Sequence, residues 1–307
     1  MCGIVGHVGP VAVPSERSLE VLLDGLSRLE YRGYDSAGVA LLTDEGVSVR
    51  KEAGKLENLR AQIAAHPLAP ATAGIGHTRW ATHGSPTAAN AHPHVAGHIA
   101  LAHNGIIENF RPLREEVESL GRTLLSETDS EVVAHLLDIA YSALREANPA
   151  GDPALQLREA MAQVTPRLEG TYALLAITAD APGTIVAARR SSPLVLGVGE
   201  GENFVGSDVA AFVAFTKQAV EVDDDQIVLI TAAGIEITDA AGQVVTEPHG
   251  WEVTWDASAA VKGGYDTFMN KEIHDQPTAV ADTLRGRMDD AGELQLDEMR
   301  IDPAVLR

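Results

Sequence analysis

The sequence predicts a layered α+β fold on a largely antiparallel sheet, and three observations carry that reading. Short runs rich in Val, Ile and Ala fill the first hundred or so residues, helical spacings occupy the middle, and five strand-like runs follow Gly170. Strands, then helices, then strands is not the alternation that a parallel βαβ sheet demands.

Residues 2–8 (CGIVGHV) are too few for a helix and rich enough in Ile and Val for a strand. From Ser15 onward, Leu19, Leu22, Leu23, Leu26 and Leu29 fall at helical spacing, with Ser15 the expected N-cap after Pro14. Residues 39–42 and 47–49 flank Thr43-Asp44-Glu45-Gly46, the pattern of a hairpin with a turn glycine. Residues 73–77 and 98–103 read as two strands, each running into a polar, glycine-containing loop where chemistry tends to sit. Leu113, Val117 and Leu120 mark a short helix. Val132, Val133, Leu136, Leu137, Ala140 and Leu144 mark a longer one, capped by Thr128 or Asp129. Leu157, Met161, Val164 and Leu168 give a third, ended near Gly170, and the strands after it are 172–177, 184–188, 194–198, 226–230 and 235–238. Residues 256–264 are small and polar, 268–284 hold one more helical pattern interrupted by Pro277, and 289–307 are acidic. The expected division is therefore a domain over 1–255 and a linker over 256–307.

Composition narrows the function. Among 307 residues, 23 Lys and Arg face 44 Asp and Glu, a net charge of −21 that phosphate backbones and anionic lipid would repel. The expected partners are small molecules or protein, with no nucleic acid and no membrane. Hydrophobic residues at 45% with 22% charged are enough to build a core. Cys2 is the single cysteine, which excludes an internal disulfide and a multi-cysteine zinc site. No run approaches the roughly eighteen apolar residues of a membrane span, since 171–179 is cut off by Asp180 and Pro182. No Lys or Arg precedes Arg17, and Pro10, Pro14 and Glu16 break any signal-peptide core, so the expected location is cytoplasmic.

Four places carry candidate chemistry. Once the initiator methionine is removed, Cys2 holds a thiol nucleophile and a free α-amine of pKa roughly 7.7–8.0, close enough to neutral to take and return a proton. The bland alternative is a small buried residue. In His77-Thr78-Arg79-Trp80-Ala81-Thr82-His83-Gly84, Arg79 suits a fork-like pair with a carboxylate, and Trp80 and Thr82 suit the wall of a pocket; an exposed loop arginine is the alternative. In residues 103–109 (HNGIIEN), the Asn104 amide and the Gly105 N–H suit an oxyanion, although Asn-Gly is equally a turn signature. Asp129 in SETDSE suits an ammonium group or simply caps a helix. Seven of the eleven histidines lie between His66 and His103, yet His92-Pro93-His94 does not put two imidazoles on one helix face, so no metal is expected. No phosphate-binding glycine loop occurs.

CGIVG at the terminus, EYRGYDSAG (30–38), GHTRWATHG (76–84), HNGIIEN (103–109) and SETDSE (126–131) together resemble, in order, the glutaminase domain of the glutamine:fructose-6-phosphate aminotransferase family, from Cys2 to about Trp255. MNKEIHDQP (269–277) resembles the link into that family's sugar-phosphate isomerase domain. The resemblance implies an N-terminal-nucleophile fold, a four-layer α/β/β/α sandwich of two antiparallel sheets. It implies that Cys2 attacks the glutamine side-chain amide to give ammonia and a thioester. By the same resemblance Asn104 and Gly105 form the oxyanion hole, Arg79 holds the substrate carboxylate and Asp129 its ammonium. Trp80, Thr82 and His83 match pocket and mobile-loop positions. No cofactor is implied. Glutamine is the implied substrate, and fructose 6-phosphate enters only through a C-terminal domain that the chain lacks, feeding amino-sugar biosynthesis; a homodimer is compatible. Two alternatives stand beside this: an amidophosphoribosyltransferase- or asparagine-synthetase-type glutaminase, and a non-catalytic glutamine-binding module.

Overall fold

The computed structural model describes residues 2–30, 34–80, 84–254, 265 and 268–284. In chain order the elements are β1 (Gly3–Val8), α1 (Arg17–Leu29), β2 (Ser36–Thr43), β3 (Gly46–Ala53), α2 (Leu56–Ala65), β4 (Ala71–Arg79), β5 (His94–Ala96), β6 (Ile99–Ile107), α3 (Phe110–Ser119), α4 (Asp129–Ala147), α5 (Pro153–Val164), β7 (Gly170–Thr178), β8 (Thr184–Arg190), β9 (Val195–Val198), β10 (Asn203–Gly206), β11 (Gln218–Glu221), β12 (Ile227–Thr231), β13 (Gly234–Thr238), β14 (Gly250–Glu252) and α6 (Phe268–Leu284).

The strands form two antiparallel sheets, one in the order β14-β11-β9-β10-β1-β4-β2-β3 and the other β13-β12-β8-β7-β6-β5. Strand alternation then decides what each residue meets. Along β7, Ala173, Leu175 and Ile177 face the other sheet, while Leu174 and Ala176 face α4 and α5. Along β1, Ile4 and Val8 face between the sheets, and Val5 packs against Val21, Leu22 and Leu26 of α1. With both faces covered, the central strands read as continuous apolar runs, not alternating ones. The result is the expected four layers: α1 and α2, the first sheet, the second sheet, then α3, α4 and α5. Each fully buried Leu, Ile or Val in these layers contributes ~1.5–3 kcal/mol.

Several local expectations need correction. The N-cap of α1 is Glu16, without a side-chain bond. Ser15 is drawn into a backbone bridge with Ala71, and its Oγ accepts the Arg17 N–H at 3.3 Å. The strand expected at 98–103 is β6, which runs on to Ile107, so Asn104 and Gly105 lie inside a strand and not in a loop after it. Gly105 pairs with Tyr172 at φ +136°, where a Cβ would collide with the Thr171 carbonyl, so only glycine fits. Between the two candidates for the cap of α4, Thr128 takes the role: its side chain accepts the Glu131 N–H. Helix α2 and strands β5, β10, β11 and β14 had no counterpart in the sequence reading. Pro277 lies inside α6 without ending it.

The chain divides into two units, Met1–Ala257 and Ser258–Arg307. The boundary expected at Trp255 lies outside the described residues. No helix among the described residues is long and apolar enough to cross a membrane.

Candidate active site

Cys2 stands one residue ahead of β1, and the pairing of β1 with β4 sets Gly3 opposite Thr78, which brings Cys2 to the end of β4. There the Trp80 N–H donates to Cys2 Sγ at 3.2 Å, and the thiol reaches the Trp80 carbonyl at 3.6 Å. Burial pushes the thiol above its usual pKa, against the Trp80 N–H and the Arg79 charge, which pull it down. The group is therefore a protonated thiol at neutral pH, and it needs a base to become a nucleophile.

Asn104 reaches the same point from the opposite sheet. Its Nδ2 donates to the Cys2 carbonyl at 3.2 Å, and the residue is 6% exposed. Because Asn104 sits mid-strand in β6, its height is set by sheet register and by what it touches across the sandwich, not by a loop.

Arg79 is the last residue of β4 and is 4% exposed, which rules out the reading of a loose surface arginine. Its guanidinium donates to the Gly84 carbonyl at 3.1 Å and the Ser85 carbonyl at 3.3 Å, and lies 3.6 Å from Asp35 Oδ1. Asp35 in turn donates its N–H to the Arg79 carbonyl at 2.7 Å. A buried cation is thus compensated by a carboxylate and two carbonyls, the arrangement burial demands. Trp80 is 54% exposed beside the thiol. Thr82 and His83 lie outside the described residues.

Asp129 opens α4 and is buried. Its Oδ2 accepts the Ile107 N–H at 2.8 Å, its Oδ1 accepts from the Ser130 hydroxyl at 3.3 Å, and the helix N-terminus favours its charge. This bond joins α4 to β6 three residues beyond Asn104. The contacts therefore run in one chain: α4 to β6, Asn104 to Cys2, Cys2 to Trp80, and Arg79 to Asp35.

Four buried histidines, His77, His92, His94 and His103, border this chain, and the sequence reading gave them no role in the site. His77 stacks on His92 at 4.1 Å and donates from Nε2 to the His103 carbonyl at 3.0 Å. His94 Nε2 meets Thr128 Oγ1 at 3.0 Å, and His103 Nδ1 meets Ser130 Oγ at 2.7 Å. Burial lowers all four, His77 and His94 to about 3, so the rings are neutral at pH 7. Among the described residues no group of three or more His, Cys, Asp or Glu is arranged to hold a metal. A cleft of about 710 Å³ at the edges of β3 and β5, lined by Lys51, His94 and Glu131, excludes Cys2, Arg79, Asn104 and Asp129 from its walls. The site is thus marked by its chemistry and not by that cleft.

Residues 77–214 match the family model of the glutamine amidotransferase domain. The chain is 56% identical to a glutamine–fructose-6-phosphate aminotransferase (isomerizing) of Streptomyces coelicolor, over 100% of this chain and 48% of the relative. It is also 56% identical to the enzyme of the same name from Corynebacterium diphtheriae, with 100% and 48% covered. The chain spans about half the length of these relatives. Its fold matches the glutamine phosphoribosylpyrophosphate amidotransferase of B. subtilis with a TM-score of 0.61 at 23% identity, over 79% of this chain and 50% of that one.

Proposed function

The chain carries a glutamine amidotransferase domain of the kind found in glutamine–fructose-6-phosphate aminotransferases, and we propose that it hydrolyses the side-chain amide of glutamine through Cys2. With Met1 removed, the α-amine of Cys2 takes the thiol proton, and Sγ attacks the amide carbon. Asn104 Nδ2 and the Gly105 N–H receive the oxyanion. The proton passes to the leaving nitrogen, ammonia departs, and a glutamyl thioester remains. Water, giving its proton to the same amine, then releases glutamate and restores the thiol. Arg79 holds the substrate carboxylate and Asp129 its ammonium, with Trp80, Thr82 and His83 closing over the pocket. In the longer protein the ammonia converts fructose 6-phosphate to glucosamine 6-phosphate on the other half, in a cytoplasmic enzyme.

The observation that carries this reading is the single hydrogen bond from Asn104 Nδ2 to the Cys2 carbonyl, which ties a strong amide donor to the residue bearing the nucleophile. The raised thiol pKa adds to it, since such a thiol calls for the adjacent base that a free N-terminus supplies.

The test is a glutaminase assay on protein whose N-terminal mass shows Met1 absent. Equal amounts of glutamate and ammonia are expected, with none above background for Cys2→Ala and a covalent adduct on Cys2 from an electrophilic glutamine analogue. Glutamine binding without turnover would make the chain a non-catalytic module instead. Addition of fructose 6-phosphate to the full-length protein tests the second half of the proposal by the appearance of glucosamine 6-phosphate.

A further inference from the structure

Strand β5 begins at His94, which pairs with Leu101, so β6 continues toward Asn104 with β7 on one side and no strand beside it on the other. Two residues further along, the backbone of His103 is held by side chains where a strand would have been. Its N–H donates to His92 Nδ1 at 3.2 Å, and its carbonyl accepts from His77 Nε2 at 3.0 Å. His77 stands on β4, in the opposite sheet, so its bond crosses the sandwich immediately before the oxyanion asparagine.

We propose that His77 is a positioning residue for the oxyanion hole: through the His103 carbonyl it fixes the β6 backbone so that the Asn104 amide meets the developing charge. This rests on the reading of Cys2 and Asn104 given above. A carbonyl only accepts, so Nε2 carries the proton and Nδ1 of the neutral ring is bare. That Nδ1 is buried without a hydrogen-bond partner, as is Asn104 Oδ1 in the side chain lying against the ring. A residue present only to fill space would not leave a buried nitrogen unsatisfied, since a leucine fills the same space without that cost. The directional bond to His103 is what the imidazole adds.

The experiment compares wild type, His77→Ala and His77→Gln, each lacking Met1, in three measurements: glutamine kcat and KM, the rate of Cys2 alkylation by iodoacetamide, and melting temperature. Alkylation forms no oxyanion, so it reports the thiol alone. For His77→Ala, kcat is expected to fall about ten- to a hundredfold, while KM and the alkylation rate stay within about threefold. Gln places an amide N–H near the position of Nε2 and is expected to recover most of kcat. An unchanged kcat in His77→Ala, or an alkylation rate falling in step with turnover, overturns the proposal. If His77→Ala does not fold, the glutamine variant decides alone: near wild-type kcat supports the proposal, and a hundredfold loss overturns it. Wild type that is alkylated but turns over no glutamine overturns the proposed function, and this inference with it. Wild-type turnover with unaffected variants overturns only the positioning role.

Discussion

The two sheets meet over two differently furnished stretches. In one, Val8, Ala73 and Ile75 of the first sheet pack on Ala100, Leu175, Ile177 and Ile185 of the second through their apolar side chains. In the other, toward Cys2, His77 and His92 stack between the strands and Asn104 reaches across to the Cys2 carbonyl. Apolar packing is strong and non-directional, so it holds the sheets together without fixing any one atom. Hydrogen-bonded imidazoles cost desolvation but fix backbone groups in place. Toward Cys2, such directional contacts stand where a reacting atom must be located.

The largest expected difference between the two stretches appears in acid. The four histidines of this stretch, His77, His92, His94 and His103, have folded-state pKa values below the unfolded value of roughly 6.5, those of His77 and His94 at about 3. Above pH 6.5 neither state binds the protons, so the full stability is present. Below it the unfolded chain takes them up and the folded chain does not, so stability is lost as pH falls from 6.5 toward 3. The slope approaches roughly 1.4 kcal/mol per pH unit for each such histidine. Urea unfolding at pH 7.5, 5.5 and 4.5 is expected to show this steep loss. Leu175→Ala, cut into the apolar stretch, is expected to cost about 2–5 kcal/mol at every pH alike. Equal stability of the wild type across that range would show that the histidine stretch is not neutral and buried as described.

Next in size is a variant that removes chemistry and spares packing. Asn104→Ala is expected to lower kcat about a hundred- to a thousandfold, with the melting temperature within a few degrees of wild type. The side chain holds one hydrogen bond to the Cys2 carbonyl and leaves Oδ1 unpaired, so little stability depends on it. A large fall in melting temperature with a small fall in kcat would reverse the contrast between the two stretches.

How far this contrast is legible in the sequence depends on whether a feature is local. The long strands β7 and β8 and helices α4 and α5 announce themselves by period, because each buries faces that its own residues define. Helix α2 does not: its apolar face is Leu56, Leu59 and Ile63 alone, and its N-cap Lys55 makes no side-chain bond. Strands β5, β10, β11 and β14 are three or four residues long and exist because distant partners pair with them. The candidate residues Cys2, Arg79, Asn104 and Asp129 were legible as chemistry, yet not their placement. Asn104-Gly105 carries a turn signature that pairing with β7 overrides. The crowding of histidines was visible too, but its sense lies in cross-sheet bonds that no spacing along one segment reveals.

The smallest expected effect tests the join between the histidine stretch and helix α4. Thr128 caps that helix, its Oγ1 accepting the Glu131 N–H at 3.3 Å, and the same oxygen meets His94 Nε2 at 3.0 Å and Ser126 Oγ at 2.9 Å. Thr128→Ala removes the cap and leaves His94 Nε2 buried without a partner, which together cost about 1–3 kcal/mol. Asp129 follows directly, and its bond to the Ile107 N–H holds the helix start against β6. Loosening the cap is therefore expected to raise KM for glutamine a few-fold, through Asp129, while kcat stays near wild type because Asn104 keeps its own support from the opposite sheet. Thr128→Ser, which keeps the hydroxyl, is expected to restore both stability and KM. If KM stays fixed while the melting temperature falls, the helix cap serves the fold alone, and Asp129 is held by β6 without help from the histidine side.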